Sequence, residues 1–316
     1  MRVLFWGTSA FAAPSLRGLV GEDFEVVGVV TQPDRPTGRS RSTVTATPIK
    51  EIALEEGLEL LQPQKPRGEE FLRTLRRLEP DVSVVVSYGH ILPADVIGVP
   101  ARGTLNVHAS LLPKLRGASP IRAAILQGLQ ETGVTIIRLV AALDAGPVLL
   151  QMGTPILDDE SYGELELRLS ELGALALIEA LTLVQLGQQS EHPQHDADAT
   201  YAPKIDRAMT RVDWSLSAEV VSRRIRAYDP KPGAFTTLHG SDVKLYRASE
   251  AEHGGGGHDG AVPGEVLGVD GSGITVACAS GAVRIAFVQP AGKRRISAED
   301  WHRGRGVAVR DRFGGG

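Results

Sequence analysis

Along the first 190 residues, short apolar runs alternate with segments of helical period. Arg2–Trp6 reads as a buried strand that Gly7-Thr8-Ser9 turns into a helix reaching about Val20, with Thr8 or Ser9 as its cap. That turn is either a simple tight βα connection or a helix N-terminus able to hold an anion. Glu25–Thr31, apolar and β-branched, predicts a second strand. A helix from Pro48 to about Glu56, a strand near Leu58–Leu61 and a helix near Glu69–Leu78 follow. Asp81–Val86 is almost wholly apolar, the pattern of a strand covered on both faces. Further strands are predicted at Leu105–Val107, Gly133–Leu139 and Val148–Met152, with a helix opening at Pro120–Leu126. Ser161-Tyr162-Gly163-Glu164 is a capping box for a helix to about Leu186, whose buried stripe is Leu165, Leu169, Leu172 and Ala176. Strands alternating with helices predict an α/β fold with a doubly wound, mostly parallel, Rossmann-like sheet, its ligands lying outside the carboxyl ends of the strands.

After Leu186 the pattern changes. Residues 187–200 are polar and unpatterned and read as a solvated inter-domain linker. Asp213-Trp214-Ser215 predicts the start of a helix carrying Arg223, Arg224 and Arg226. Beyond it, Thr236–Leu238, Val243–Arg247, Gly264–Val269, Gly273–Ala277 and Ala282–Val288 are short β-branched runs separated by turns, as in a small barrel. The expected domains are therefore 1–187, a linker at 188–205, and 206–316. His192 and His195 have no further ligands at a useful spacing, and His253-Gly-Gly-Gly-Gly-His258 reads as a flexible loop of the barrel, so no metal site is read from either pair.

At 316 residues the chain exceeds one ordinary core, which agrees with two domains. The 42% hydrophobic and 23% charged content is that of a soluble globular protein. The single Cys278 excludes internal disulfides and any Cys-based zinc site. Met1-Arg2 leads directly into Val3-Leu4-Phe5-Trp6 without room for a signal peptide, and no uninterrupted apolar run approaches about 20 residues. A cytoplasmic protein without a membrane partner is expected. The net charge of −4 divides unevenly, +3 over residues 206–316 against −7 over the rest, which permits an RNA-touching C-terminal domain.

The candidate chemistry centres on Asn106-Val107-His108. With Leu105 and Val107 on the buried side of a strand, Asn106 and His108 share the other face. Standing alone, such a pair reads as two polar residues at the surface or a satisfied core pair. Together, an amide and an imidazole aimed at one point suit an oxyanion. Ser110-Leu111-Leu112-Pro113 makes a stiff turn, Gly117 allows close backbone approach, and Leu143-Asp144-Ala145-Gly146 brings a carboxylate to another turn. Two donors plus an acid that can move a proton describe acyl transfer to an amine. The long loop at 33–47 carries Arg35, Arg39 and Arg41, either as a solvated loop or as a grip on phosphates and bases. Lys293-Arg294-Arg295 is the densest basic cluster, either a solvated face or an RNA contact.

The run Asn106-Val107-His108-Ala109-Ser110-Leu111-Leu112-Pro113-Lys114-Leu115-Arg116-Gly117-Ala118-Ser119-Pro120 resembles the signature of the folate-dependent formyltransferases, and the likeness extends over nearly the whole chain. The resemblance implies a formyltransferase domain followed by an OB-like barrel. It implies 10-formyltetrahydrofolate as the formyl donor, methionyl initiator tRNA as the acceptor, no metal, and a monomer. Asn106, a protonated His108 and Asp144 would be catalytic, the first two holding the formyl oxygen and the third moving the amine proton. Ser87, Tyr88 and Leu92, with Ser110, Leu111, Leu112 and Pro113, would bind the folate. Arg39, Arg41, Lys204, Lys293 and Arg294 would contact the tRNA. Val140, Ala142, Ala145 and Pro147 depart from the pattern and imply an altered pocket wall. The rival readings are a formyltransferase acting on a small amine, such as a ribotide or amino sugar, and a non-catalytic RNA-binding protein.

Overall fold

The computed structural model describes residues 1–22, 24–37, 43–251 and 261–314. The chain forms two compact units. One comprises residues 1–120, 132–155 and 166–202; the other comprises 121–131, 156–165 and 203–316.

The first unit holds a seven-stranded sheet. Its strands are β1 (Arg2–Gly7), β2 (Glu25–Val30), β3 (Leu60–Leu61), β4 (Val82–Val86), β5 (Thr104–His108), β6 (Glu131–Arg138) and β7 (Val148–Pro155). Their order is β7-β6-β5-β4-β1-β2-β3. Strands β5, β4, β1, β2 and β3 pair in parallel, and β6 runs antiparallel to β5. The doubly wound, mostly parallel sheet expected from the alternation is the one observed. The chain runs from β1 through β2 to β3 and then returns to lay β4 on the other side of β1, so the order reverses between β1 and β4. Ligands of open α/β sheets sit outside the strand ends at such a point.

All five residues of β4 are buried, as its unbroken apolar run requires. Leu4, Trp6, Val30 and Val85 pack with Leu72, Leu75, Tyr88, Leu92 and Val96 in one core cluster. Each such side chain contributes about 1.5–3 kcal/mol relative to exposure. The helix Pro48–Glu55 starts as expected, with the Thr47 hydroxyl accepting from the Lys50 amide at 3.1 Å. The first helix differs. A 3-10 turn at Ala10–Ala12 precedes Ala13–Gly21, and neither Thr8 nor Ser9 caps it. Their hydroxyls instead donate to the Tyr88 carbonyl (2.9 Å) and to Ser87 (2.7 Å). The hydroxyl groups that could cap a helix are taken by the loop following β4. Within the loop at 33–47, Arg35–Thr37 pairs with Thr43–Thr45 in a short antiparallel ladder.

The helix Tyr162–Leu186 opens on the predicted capping box, Ser161 N–H donating to Glu164 Oε2 at 3.0 Å. Burial follows the predicted stripe at Leu165, Leu169 and Ala176, while Leu172 is only half-buried. By length and composition this helix could cross a membrane. Leu177, Ala180, Leu181 and Val184 are also buried within the protein, the habit of a core helix.

The second unit contains an antiparallel sheet of β8 (Ala234–Leu238), β9 (Ser241–Glu250), β10 (Val266–Asp270), β11 (Gly273–Ala277), β12 (Ala282–Pro290) and β13 (Ile296–Ser297). The order is β8-β9-β12-β11-β10, with β13 added against β12. The preceding helix spans Ala218–Ala227 and starts later than expected. Asp213 accepts from the Ser215 amide at 3.0 Å and closes a local turn, and Ser217 caps the helix. The same residue types serve turns and caps, so sequence alone misplaced the start.

Cys278 is buried in the core of this sheet, and burial pushes its thiol from 9.0 up to about 12. The thiol should label in the native protein at pH 8 only as fast as the unfolding equilibrium exposes it. The raised folded value means that its stabilising contribution is complete below pH 9 and lost as pH rises toward 12. Reaction with a thiol reagent, with and without denaturant, checks the first point; instant labelling of the native protein would contradict it.

Candidate active site

Strand β5 lies between β4 and β6, and its carboxyl end delivers His108 opposite Thr135 of β6. Asn106 and His108 are two apart and therefore on one face of the sheet. His108 is buried and Asn106 half-buried. The chain then turns through Ser110–Pro113, where the Leu112–Pro113 peptide is cis. Side chains from β6 and β7 hold this turn. Thr135 Oγ1 donates to the Ser110 carbonyl at 2.6 Å and accepts the Leu112 N–H at 3.1 Å. Gln151 Nε2 donates to the Leu112 carbonyl at 2.8 Å and to Thr135 Oγ1 at 3.0 Å.

The turn brings the Leu115 carbonyl 3.0 Å from His108 Nε2. A carbonyl only accepts, so Nε2 carries a hydrogen and Nδ1 is the ring nitrogen left for other work. Asp144 Oδ2 stands 3.7 Å from Nδ1. The His108 side chain is 6% exposed and that of Asp144 12%, so the pair meets where water screens little.

Asp144 sits in a turn with φ of +48°. Its Oδ2 also accepts the Gly117 N–H at 2.8 Å. Gly117 has φ of +116°, and a Cβ there would lie 2.7 Å from the Ala202 carbonyl oxygen, so glycine is required for this donor to reach the carboxylate. Residues 116–117 pair in parallel with 201–202. Arg116 is buried, its guanidinium bonded to Gln194 Oε1 and 2.9 Å from Asp196 Oδ1. Gln194 Nε2 donates to the carbonyls of Asp144 and Gly146, and Thr200 Oγ1 accepts the Leu115 N–H at 2.9 Å. The reading of 187–200 as wholly solvated is thus corrected. Gln194, Asp196 and Thr200 use polar groups to brace the turn and strand around Asp144, and such bonds leave no mark in hydropathy. Thr135, Gln151, Gln194 and Thr200 are the supporting residues that the sequence did not disclose.

The expected folate residues leave the carboxyl ends of two adjacent parallel strands, Ser87–Leu92 after β4 and Ser110–Pro113 after β5. Ser87 is exposed, whereas the Tyr88 and Leu92 side chains point into the core. Burial pushes the Tyr88 phenol up to about 12, and its carbonyl accepts from Thr8 and from Gln32 Nε2 at 2.8 Å. Ser87 and Ile91 are the exposed side chains of this segment. His90 packs edge-on against Tyr88.

Of the expected tRNA contacts, Arg39 and Arg41 lie outside the described residues, as do His253 and His258. Lys204, Lys293 and Arg294 are exposed. Arg295 is occupied, ion-paired to buried Asp229 at 3.2 Å and placed over the rings of Tyr246 and Phe287 at 4.2 and 5.0 Å. Among the described residues, no group of three or more His, Cys, Asp or Glu side chains could hold a metal ion.

His108 and Asp144 thus meet at the carboxyl edge of a doubly wound sheet, with Asn106 on the same strand as His108. Residues 1–181 match the formyl transferase family and residues 204–306 match the formyl transferase C-terminal domain, and the chain belongs to that family. Within it, the chain is 44% identical to the methionyl-tRNA formyltransferase of Chromobacterium violaceum over 99% of its own length and 100% of the relative's. It is 41% identical to the methionyl-tRNA formyltransferase of Bacillus licheniformis, covering 99% of this chain and 98% of that one. Among solved structures, HypX from Aquifex aeolicus in complex with tetrahydrofolic acid has the same fold. The two align with a TM-score of 0.67 at 21% identity, over 98% of this chain and 48% of HypX.

Proposed function

We propose that this protein transfers a formyl group from 10-formyltetrahydrofolate to the α-amino group of methionyl initiator tRNA, acting in the cytoplasm as a monomer. Residues 1–187 carry the chemistry, 188–205 link, and 206–316 contact the tRNA. The observation that carries the reading is the 44% identity, over 99% of the chain, to an enzyme bearing that name. The +3 charge of residues 206–316 is in keeping with an RNA acceptor.

The neutral amine attacks the formyl carbon. A carbon–nitrogen bond forms and the carbonyl electron pair moves onto the formyl oxygen. The Asn106 amide and an Nδ1–H of His108 hold that oxygen, since Nε2 is committed to the Leu115 carbonyl. Asp144 takes the amine proton, directly or through water, and returns it to N10 of the donor as the carbon–N10 bond breaks. Ser87, the backbone of Tyr88 and Leu92, and Ser110–Pro113 bind the donor. Arg39, Arg41, Lys204, Lys293 and Arg294 grip the RNA.

Formylation of charged initiator tRNA, compared with a glycinamide ribotide and an amino sugar under the same donor, tests the proposal. Efficient use of the tRNA is expected, with little transfer to the small amines. Exclusive or equal use of the small amines would overturn the acceptor, and failure with every amine would overturn the enzyme reading.

A further inference from the structure

We propose that Gln194 is a positioning residue for formyl transfer, setting the Asp144 carboxylate against His108; the proposal rests on the reading of Asp144 as the proton carrier. Gln194 makes four hydrogen bonds with one carboxamide. Nε2 donates to the carbonyls of Asp144 (2.8 Å) and Gly146 (2.7 Å), and Oε1 accepts from Arg116 Nε (3.1 Å) and Nη2 (2.8 Å). A guanidinium has only donors, so the amide oxygen must face it and both amide hydrogens fall to the carbonyls. The orientation is therefore fixed by its neighbours.

What the amide joins is specific to the carboxylate. On one side is the turn that carries Asp144, held at φ +48° in a region a non-glycine residue enters at about 1–2 kcal/mol. On the other side is buried Arg116, whose chain neighbour Gly117 supplies the N–H bonded to Asp144 Oδ2. The residue that fixes the acid's backbone also fixes the segment that receives its oxygen. Without it, the turn is free to relax and the 3.7 Å approach to His108 is lost. Misplacing a reacting group by about 1 Å costs on the order of 100-fold.

The test is a double-mutant cycle measured in single turnovers with enzyme in excess. Gln194→Ala is expected to slow transfer about 10- to 100-fold with KM for both substrates within about threefold of wild type. In an Asp144→Asn background, the same change should cost less than about threefold, because the group it positions is already gone. Gln194→Glu keeps an acceptor for Arg116 but sets oxygen against the two carbonyls, and should be as slow as Gln194→Ala; it also serves if the alanine variant does not fold. Wild-type rates in both variants would overturn the proposal. So would an equal loss in the wild-type and Asp144→Asn backgrounds, which marks a general structural effect. If Asp144→Asn alone retained full activity, the catalytic reading of Asp144 would fail instead.

Discussion

Changing His108 to alanine is expected to lower kcat for formyl transfer by about 100- to 1,000-fold while leaving KM for the tRNA within about threefold. In the proposed mechanism the imidazole is the second of two donors to the developing oxyanion, and loss of one such donor has that magnitude. The ring is buried beside Asp144, so solvent screens little of its interaction with the developing charge. There is also a stability effect. Removing the ring leaves the Leu115 carbonyl without its 3.0 Å partner, at a cost of about 1–3 kcal/mol. Thermal melts and filter binding of tRNA separate the two, since the folded variant should still bind RNA normally. Turnover near wild type in a folded His108→Ala enzyme would remove the imidazole from the chemistry.

A methyl group at Gly146 should be nearly as damaging, for a different reason. A Cβ there would lie 1.7 Å from the carbonyl oxygen of Arg138 and 2.9 Å from its carbon. No side-chain rotation relieves a clash with backbone, so either the end of β6 or the Asp144 turn must move. The Arg138 N–H is bonded to the Pro147 carbonyl at 2.9 Å, and the Gly146 carbonyl is held by Gln194, so both sides are tethered. Gly146→Ala is expected to destabilise by on the order of 3 kcal/mol and to reduce kcat at least about 100-fold. Gly271→Ala is the control, because a Cβ at Gly271 meets nothing within 4 Å among the described residues. Denaturant melts and kcat on both variants decide the matter. A fully active Gly146→Ala enzyme would show that the turn has freedom the geometry denies it.

The elements legible in the sequence are those written in apolar spacing. β1, β2 and β4 announce themselves as β-branched runs, and the Tyr162–Leu186 helix is marked by both its capping box and its stripe. The pairing of Asn106 with His108 follows from the two-residue period of a strand. The approach of Asp144 came from resemblance, because 36 positions separate it from His108 and no local pattern encodes the meeting. What stayed hidden was hydrogen-bonded support. Thr8 and Ser9 look like caps, yet bind the loop after β4. Asp213 looks like a helix start, yet closes a turn. Gln194 and Thr200 look like solvent-facing filler, yet their amide and hydroxyl brace main chain remote in sequence. Polar side chains that satisfy distant backbone carry no periodicity, so composition registers them only as loop.

The parallel pairing of residues 116–117 with 201–202 bears on how the protein can be cut. A truncation ending at Leu186, where the long helix stops, would retain Asn106, His108 and Asp144 and still release the clamp on Arg116 and Leu115. Such a fragment lacks the strand that holds the Leu115–Gly117 turn, whereas one extended through Ala202 keeps the brace. Anyone seeking a minimal donor-binding piece should therefore place the stop codon after the second short strand, well past the last helical turn.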